Sequence, residues 1–202
     1  MAACPRCGRE NADDARFCSA CGAELAVAER QRESRKVVTV LFCDLVGSTA
    51  LGESTDPEAL RARMRGYFAD LRAILERHGG SVEKFVGDAV MAVFGIPVAH
   101  EDDALRAVRA AWEMREAVTA HELAARIGVN TGEVVVGGEA ETLVTGDAVN
   151  VAARLEQSAP AGEVLLGSET RLLVRDAVRV EPVEPLTLRA RHTPSRPSGC
   201  ST

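Results

Sequence analysis

Glu83-Lys84-Phe85-Val86-Gly87-Asp88-Ala89-Val90-Met91-Ala92-Val93-Phe94 sets a Gly-Asp pair between two apolar runs. Gly87-Asp88 predicts a two-residue turn with glycine first, the type whose twist suits paired antiparallel strands. Ser81–Val86 and Ala89–Phe94 then form the arms of a hairpin, with Asp88 at its tip. Alone, such an aspartate reads as a solvated turn residue bonded to its local backbone. An earlier run changes that reading. Lys36–Cys43 is β-branched and apolar nearly throughout, predicts a central strand buried on both faces, and ends at Asp44. If this strand lies antiparallel to the second hairpin arm, its C-terminal end meets the arm's beginning and Asp44 neighbours Asp88. Two carboxylates so placed repel unless cations lie between them. Leu45-Val46-Gly47-Ser48-Thr49 follows as a small-residue loop whose backbone N–H groups can hold an anion.

The 202 residues, 46% of them hydrophobic, suffice for one full domain and a small appendage. A formal net charge of −6 argues against general nucleic-acid or membrane-surface binding, although local dipoles and cations can still hold an anionic nucleotide. With no membrane-length apolar run and no apolar signal core, a cytoplasmic protein with reduced thiols is expected.

Cys4-Pro5-Arg6-Cys7 and Cys18-Ser19-Ala20-Cys21 form two Cys-x-x-Cys knuckles, each followed by glycine. Four thiolates suit one tetrahedral Zn²⁺, and a segment this short has too little core to fold without it. A pair of disulfides fits poorly with a reducing compartment. Four sulfur ligands close the site, so the zinc is structural. Residues 1–24 resemble a zinc ribbon, and 25–36 read as a charged linker.

Downstream, Asp56-Pro57-Glu58 signals a helix start. Leu60, Met64, Phe68, Leu71 and Leu75 recur at helical spacing until His78-Gly79-Gly80 ends the run. A second helix is expected over 101–120, burying Leu105, Val108, Trp112 and Val118, and His100 before it is given no role. Ala125–Asn130 and Glu133–Gly137 read as a hairpin around Thr131-Gly132. A helix over 146–157 places Asn150 and Arg154 four residues apart on one face. A strand over 161–166, a helix over 168–174 capped by Ser168 and a last piece over 178–183 follow, and 186–202 read as disordered.

Three stretches, Val40-Leu41-Phe42-Cys43-Asp44-Leu45-Val46-Gly47-Ser48-Thr49, Glu83–Met91 and Gly146–Arg154, together resemble the class III nucleotidyl cyclases, with the likeness running over about 37–185. The resemblance implies an α+β fold, a ferredoxin-like antiparallel sheet covered by helices. It also implies conversion of ATP to 3′,5′-cyclic AMP and pyrophosphate. Asp44 and Asp88 match the carboxylates that hold two Mg²⁺ or Mn²⁺ ions, with the Leu45 carbonyl as a further ligand. The amides of Val46, Gly47, Ser48 and Thr49 match the loop that cradles the β- and γ-phosphates. Arg154 matches the arginine that meets charge on the α-phosphate, and Asn150 the residue that orients the ribose. Lys84 matches the base-selecting lysine of adenylyl cyclases, whereas its usual partner position holds Leu143, which accepts no hydrogen bond; Thr142 or Thr145 is the nearest substitute. In the family the aspartates and the Asn/Arg helix act from opposite protomers, which implies a head-to-tail homodimer. The tail departs from the family pattern, with Arg189 the nearest replacement for a terminal phosphate-binding cation. Leu143 and that tail leave a second reading, a regulatory nucleotide-binding module that signals through a protein partner of the ribbon.

Overall fold

The computed structural model describes residues 2–12, 15–25, 34–47, 56–137 and 144–183. At the N-terminus, β1 (Ala2–Ala3) and β2 (Glu10–Asn11) pair antiparallel. The remaining strands are β3 (Ser34–Leu45), β4 (Ser81–Val86), β5 (Ala89–Phe94), β6 (Ala125–Val136), β7 (Val144–Thr145) and β8 (Val164–Leu166). Together they form one six-stranded sheet in the order β4-β5-β3-β6-β7, with β8 added parallel to β6 and every other pair antiparallel. Four helices accompany it: α1 (Pro57–Arg77), α2 (Asp103–Ala120), α3 (Asp147–Ser158) and α4 (Ser168–Val174). This is the α+β arrangement expected, with the predicted hairpin at its predicted bounds.

Alternation along β3 assigns each helix to a face of the sheet. Leu41, Cys43 and Leu45 point into a core shared with Tyr67, Leu71 and Leu75 of α1 and Ala107, Ala111 and Met114 of α2. Val38 and Val40 point the other way, into a smaller core with Met91, Val93, Val134 and Ala148 and Ala152 of α3. Asp44 belongs to this second face by the same period of two. The α1 helix starts where its sequence says. The Asp56 carboxylate accepts from the Glu58 and Ala59 amides, and Pro57 occupies the first turn.

Three expectations need correction. Thr131-Gly132 makes no turn: β6 is one 12-residue strand paired along its whole length with β3, and the Thr39 and Thr131 hydroxyls meet at 2.9 Å. Trp112 stays 54% exposed, stacked under the Arg115 guanidinium at 4.6 Å, because smaller side chains, Ala107, Ala111 and Met114, fill the contact with the sheet. Ser168 is the first residue inside α4; the flanking position is Gly167, with no side-chain capping bond. Residues 178–183 are the last described ones, and Val178 packs on the larger core. The tail expected over 186–202 lies outside the described residues.

The α3 helix sits unusually low on the sheet because β6 has glycine beneath it. A Cβ added at Gly128 would stand 2.3 Å from the Glu156 amide nitrogen and 2.4 Å from the Ala152 carbonyl oxygen. Both atoms are backbone, so only a shift of the whole helix can relieve the clash. Gly128→Ala is therefore expected to destabilise the fold by about 2–3 kcal/mol, read from urea denaturation followed by fluorescence of Trp112, the sole tryptophan.

Candidate active site

The register of β3 against β5 pairs Cys43 with Val90, which brings Asp44 opposite Ala89 and beside Asp88 in the hairpin turn. Gly87 takes φ 64°, as the turn requires. The two carboxyl groups lie within hydrogen-bonding reach of each other. Burial and then the charge of Asp88 raise the Asp44 carboxyl above its ordinary range, against the opposing pull of the Leu45 amide and Arg126. Two oxygen donors forced together, one of them half-buried, are the donor set that a hard divalent cation such as Mg²⁺ or Mn²⁺ satisfies.

Two charged groups that the sequence reading missed border this pair. Arg126 is the register partner of Asp44 across β3 and β6, and its Nε is buried with no hydrogen-bond partner among the described residues. Glu156 on α3 is only 7% exposed. Its pKa is pushed up to about 7 by burial first, then by the charges of Asp44 and Asp88, with Arg126 opposing. One sequence signal was available for Arg126, a cation at an inward position of a strand otherwise lined with apolar and small residues. Glu156 carried none, since an acid two residues after Arg154 looks like part of a polar helix face.

The other expected residues divide by position. Lys84 is exposed on β4, opposite Met91, which in turn faces Phe42 of β3, so all three share the α3 face of the sheet with Asp44. On α3, Ala148, Ala152 and Glu156 are buried against the sheet, whereas Asn150 is exposed and Arg154 half-buried. At about 100° per residue, Asn150 and Arg154 lie roughly 160° around the helix from the sheet-facing stripe. They are turned away from the aspartates of their own chain. The Val46 amide is not a free donor: it bonds the Ala124 carbonyl at 2.8 Å and extends the β3–β6 ladder by one rung. Gly47 is exposed at φ 75°, while Ser48, Thr49, Thr142, Leu143 and Arg189 lie outside the described residues.

A second site lies near the N-terminus. The Sγ atoms of Cys4, Cys7, Cys18 and Cys21 all fall within 4.8 Å of one another. Cys4–Cys21 and Cys7–Cys18 separate by 3.7 and 3.6 Å. Four sulfurs at the usual Zn–S distance of about 2.3 Å define a tetrahedron with edges of about 3.8 Å, so the cluster fits Zn²⁺ as it stands. The two knuckles repeat one local geometry. Gly8 donates to the Cys4 carbonyl and Gly22 to the Cys18 carbonyl, with both glycines at positive φ. The Ala20 and Cys21 amides hold the Cys18 thiol down, to about 6, favouring the thiolate.

Both parts of the chain match families of known proteins. Residues 30–196 match the model of the adenylate and guanylate cyclase catalytic domain, and residues 4–25 that of a zinc-ribbon domain. Adenylate cyclase 1 of Rhizobium meliloti (strain 1021) is 32% identical over 176 residues, 79% of this chain and 26% of that protein. An uncharacterized protein of Mycobacterium tuberculosis is 36% identical over 189 residues, 85% of this chain and 33% of its own length. The chain thus spans about a quarter to a third of the length of these curated relatives. Among solved structures, the adenylyl cyclase CyaB from P. aeruginosa superposes with a TM-score of 0.70 at 34% identity, covering 73% of this chain and 84% of that one. The guanylate cyclase domain of RhGC from Catenaria anguillulae, in complex with GTP, gives a TM-score of 0.70 at 27% identity over 76% of this chain and 90% of that one. A match over most of the length leaves one conclusion: the chain belongs to the adenylate and guanylate cyclase catalytic domain family and carries a zinc-ribbon domain at its N-terminus.

Proposed function

We propose that this chain is an adenylyl cyclase that converts ATP to 3′,5′-cyclic AMP and pyrophosphate. The observation that carries the reading is the juxtaposition of Asp44 and Asp88 at the joined ends of β3 and the hairpin. In the reaction the ribose 3′-hydroxyl gives up its proton to solvent, its oxygen attacks the α-phosphorus, the bond from that phosphorus to the β-phosphate bridging oxygen breaks, and pyrophosphate leaves. Two Mg²⁺ or Mn²⁺ ions held by Asp44, Asp88 and the Leu45 carbonyl would supply acidity at the 3′-oxygen and neutralise the phosphates. Gly47, Ser48 and Thr49 follow Asp44 and receive the β- and γ-phosphates through their amides. Arg126, whose buried Nε meets no acceptor among the described residues, adds a cation on the same side as Asp44 and suits a phosphate oxygen. Lys84 reads the base and favours adenine, with Leu143 leaving part of the base edge unread.

Arg154 balances charge on the α-phosphate, and Asn150 orients the ribose. Both residues point away from their own aspartates, which supports a head-to-tail homodimer in which α3 of one protomer completes the site of the other. Half-buried Phe42, Ile96, Val136 and Val149 border the smaller core and offer apolar surface for such an interface. The zinc ribbon is folded around its metal and contacts a protein partner. No helix among the described residues is long and apolar enough to cross a membrane, and we assign the chain to the cytoplasm.

Purified protein incubated with Mn²⁺ and either ATP or GTP is expected to form cyclic AMP in preference to cyclic GMP. Asp88→Ala abolishes turnover. A folded, dimeric preparation that makes no cyclic AMP from ATP overturns the reading. Arg154→Ala should lower kcat about a hundredfold, about 3 kcal/mol of transition-state stabilisation. Mixing the Asp88→Ala and Arg154→Ala chains in equal amounts should restore about a quarter of wild-type activity, since half of the dimers then carry one intact site of two.

Elemental analysis should find about one zinc per chain, lost in Cys18→Ser. Proton linkage at Glu156 has a definite sign. Its folded-state pKa, about 7, is raised above the ordinary 4.5, so the folded chain binds the extra proton. Stability without added divalent cation should therefore be highest below pH 4.5 as far as this group is concerned, and fall as pH rises through 7. The urea midpoint measured across this window should lose that dependence in Glu156→Gln.

A further inference from the structure

Tyr67 is the only tyrosine in the chain, is fully buried in α1, and has no part in the reaction described above. Its hydroxyl donates to the backbone carbonyl of Asp88 at 3.2 Å. The same oxygen lies 4.0 Å from Sγ of Cys43, the residue immediately before Asp44. The thiol can donate to the phenol oxygen while the phenol donates to the carbonyl. One side chain thus touches both aspartate-bearing segments from the α1 face of the sheet, opposite the face where Asp44 points.

This contact answers a weakness in the hairpin. The β4–β5 ladder ends at the Val86–Ala89 pair, so the carbonyls of the two turn residues lie outside that ladder. Gly87 lends the tip conformational freedom, and a Cβ built there would touch nothing within 4 Å. Around Tyr67 the core is apolar, built from Leu71, Leu41, Leu45 and Val90, and Phe68 stacks at 5.0 Å. A phenylalanine would fill that space equally well, and a buried hydroxyl costs free energy unless it is bonded. The hydroxyl is accounted for by what it holds. We propose that Tyr67 is a positioning residue that fixes Asp88 relative to Asp44 and so sets the divalent-cation affinity of the pair. The proposal rests on reading that pair as a cation site.

The test compares wild type, Tyr67→Phe and Asp88→Ala, each with 3′-deoxy-ATP, which lacks the attacking hydroxyl. Free Mn²⁺ is counted by electron paramagnetic resonance, and folding is followed by thermal melting. Tyr67→Phe should raise the apparent Kd for Mn²⁺ about fivefold, the effect of one buried hydrogen bond. In turnover assays it should raise the Mn²⁺ concentration needed for half-maximal rate while leaving kcat at saturating Mn²⁺ within about twofold of wild type. A purely structural role would lower the melting temperature without moving Mn²⁺ affinity. Unchanged affinity in Tyr67→Phe, with Asp88→Ala weakened, overturns the tether and leaves the cyclase reading intact. Mn²⁺ binding that is equally absent from wild type and Asp88→Ala overturns both.

A second arm does not depend on the variant folding. Uniform replacement of tyrosine by 3-fluorotyrosine labels position 67 alone. Its single ¹⁹F resonance should shift on saturation with Mg²⁺ and 3′-deoxy-ATP, and not in Asp88→Ala. A resonance that stays in place at saturation in the wild-type chain overturns the proposal.

Discussion

Everything at the candidate active site follows from the register of β3 against β5. Because side chains alternate, Leu41, Cys43 and Leu45 must face α1 and α2 if Val38 and Val40 are to face α3. A slip of one residue would turn Asp44 into the larger core, between side chains that offer it no partner, at a cost of several kcal/mol. The apolar pattern therefore does more than bury surface. It holds one acidic side chain on the α3 face, at the end of a strand, next to a turn that carries another. The repulsion between them is a by-product of packing that the rest of the sheet is strong enough to impose.

The α3 helix meets the same constraint from above. Gly128 and Gly132 on β6 leave notches into which the backbone at Ala152 and Glu156 and the side chain of Ala148 descend. This close approach buries Glu156, which then lies within the field of Asp44, Asp88 and Arg126. It also fixes the rotation of the helix, and that rotation turns Asn150 and Arg154 outward. A looser seat, with an alanine in place of either glycine, would free the helix to roll and blur the division between its two faces. Close packing on one side thus sets the direction of the polar groups on the other.

Local chemistry explains what the sequence made legible. The hairpin tip, the Asp56-Pro57 helix start and the two cysteine knuckles are each written within a few residues, and each is found where expected. Longer-range features were less readable. Thr131-Gly132 has the composition of a turn, yet β3 supplies partners on both sides of it, and a continuous ladder outweighs the local preference. Trp112 falls on the apolar side of its helix by periodicity, but the contact with the sheet is made by Ala107, Ala111 and Met114, which leaves the indole at the edge. Arg126 and Glu156 acquire their place only through pairing with residues far away in the chain. No window of sequence around either one contains Asp44.

The two candidate metal sites stand in opposite relations to folding. In the N-terminal segment the buried apolar set is little more than Cys4, Cys18 and Leu25, so the thiolate–zinc bonds supply most of what holds the knuckles together. Asn11 reinforces them from outside, accepting from the Ser19 amide at 3.0 Å and donating toward Cys18 Sγ at 3.7 Å. The cyclase domain rests instead on a core of its own, spanning three strands and three helices, and its paired aspartates are a local expense carried by that core. A cation there would relieve a repulsion that the scaffold already tolerates, with Arg126 opposing it in part. Its binding could therefore be weak and reversible without endangering the fold, as the proposed reaction would require of ions that arrive with a nucleotide and leave with its product.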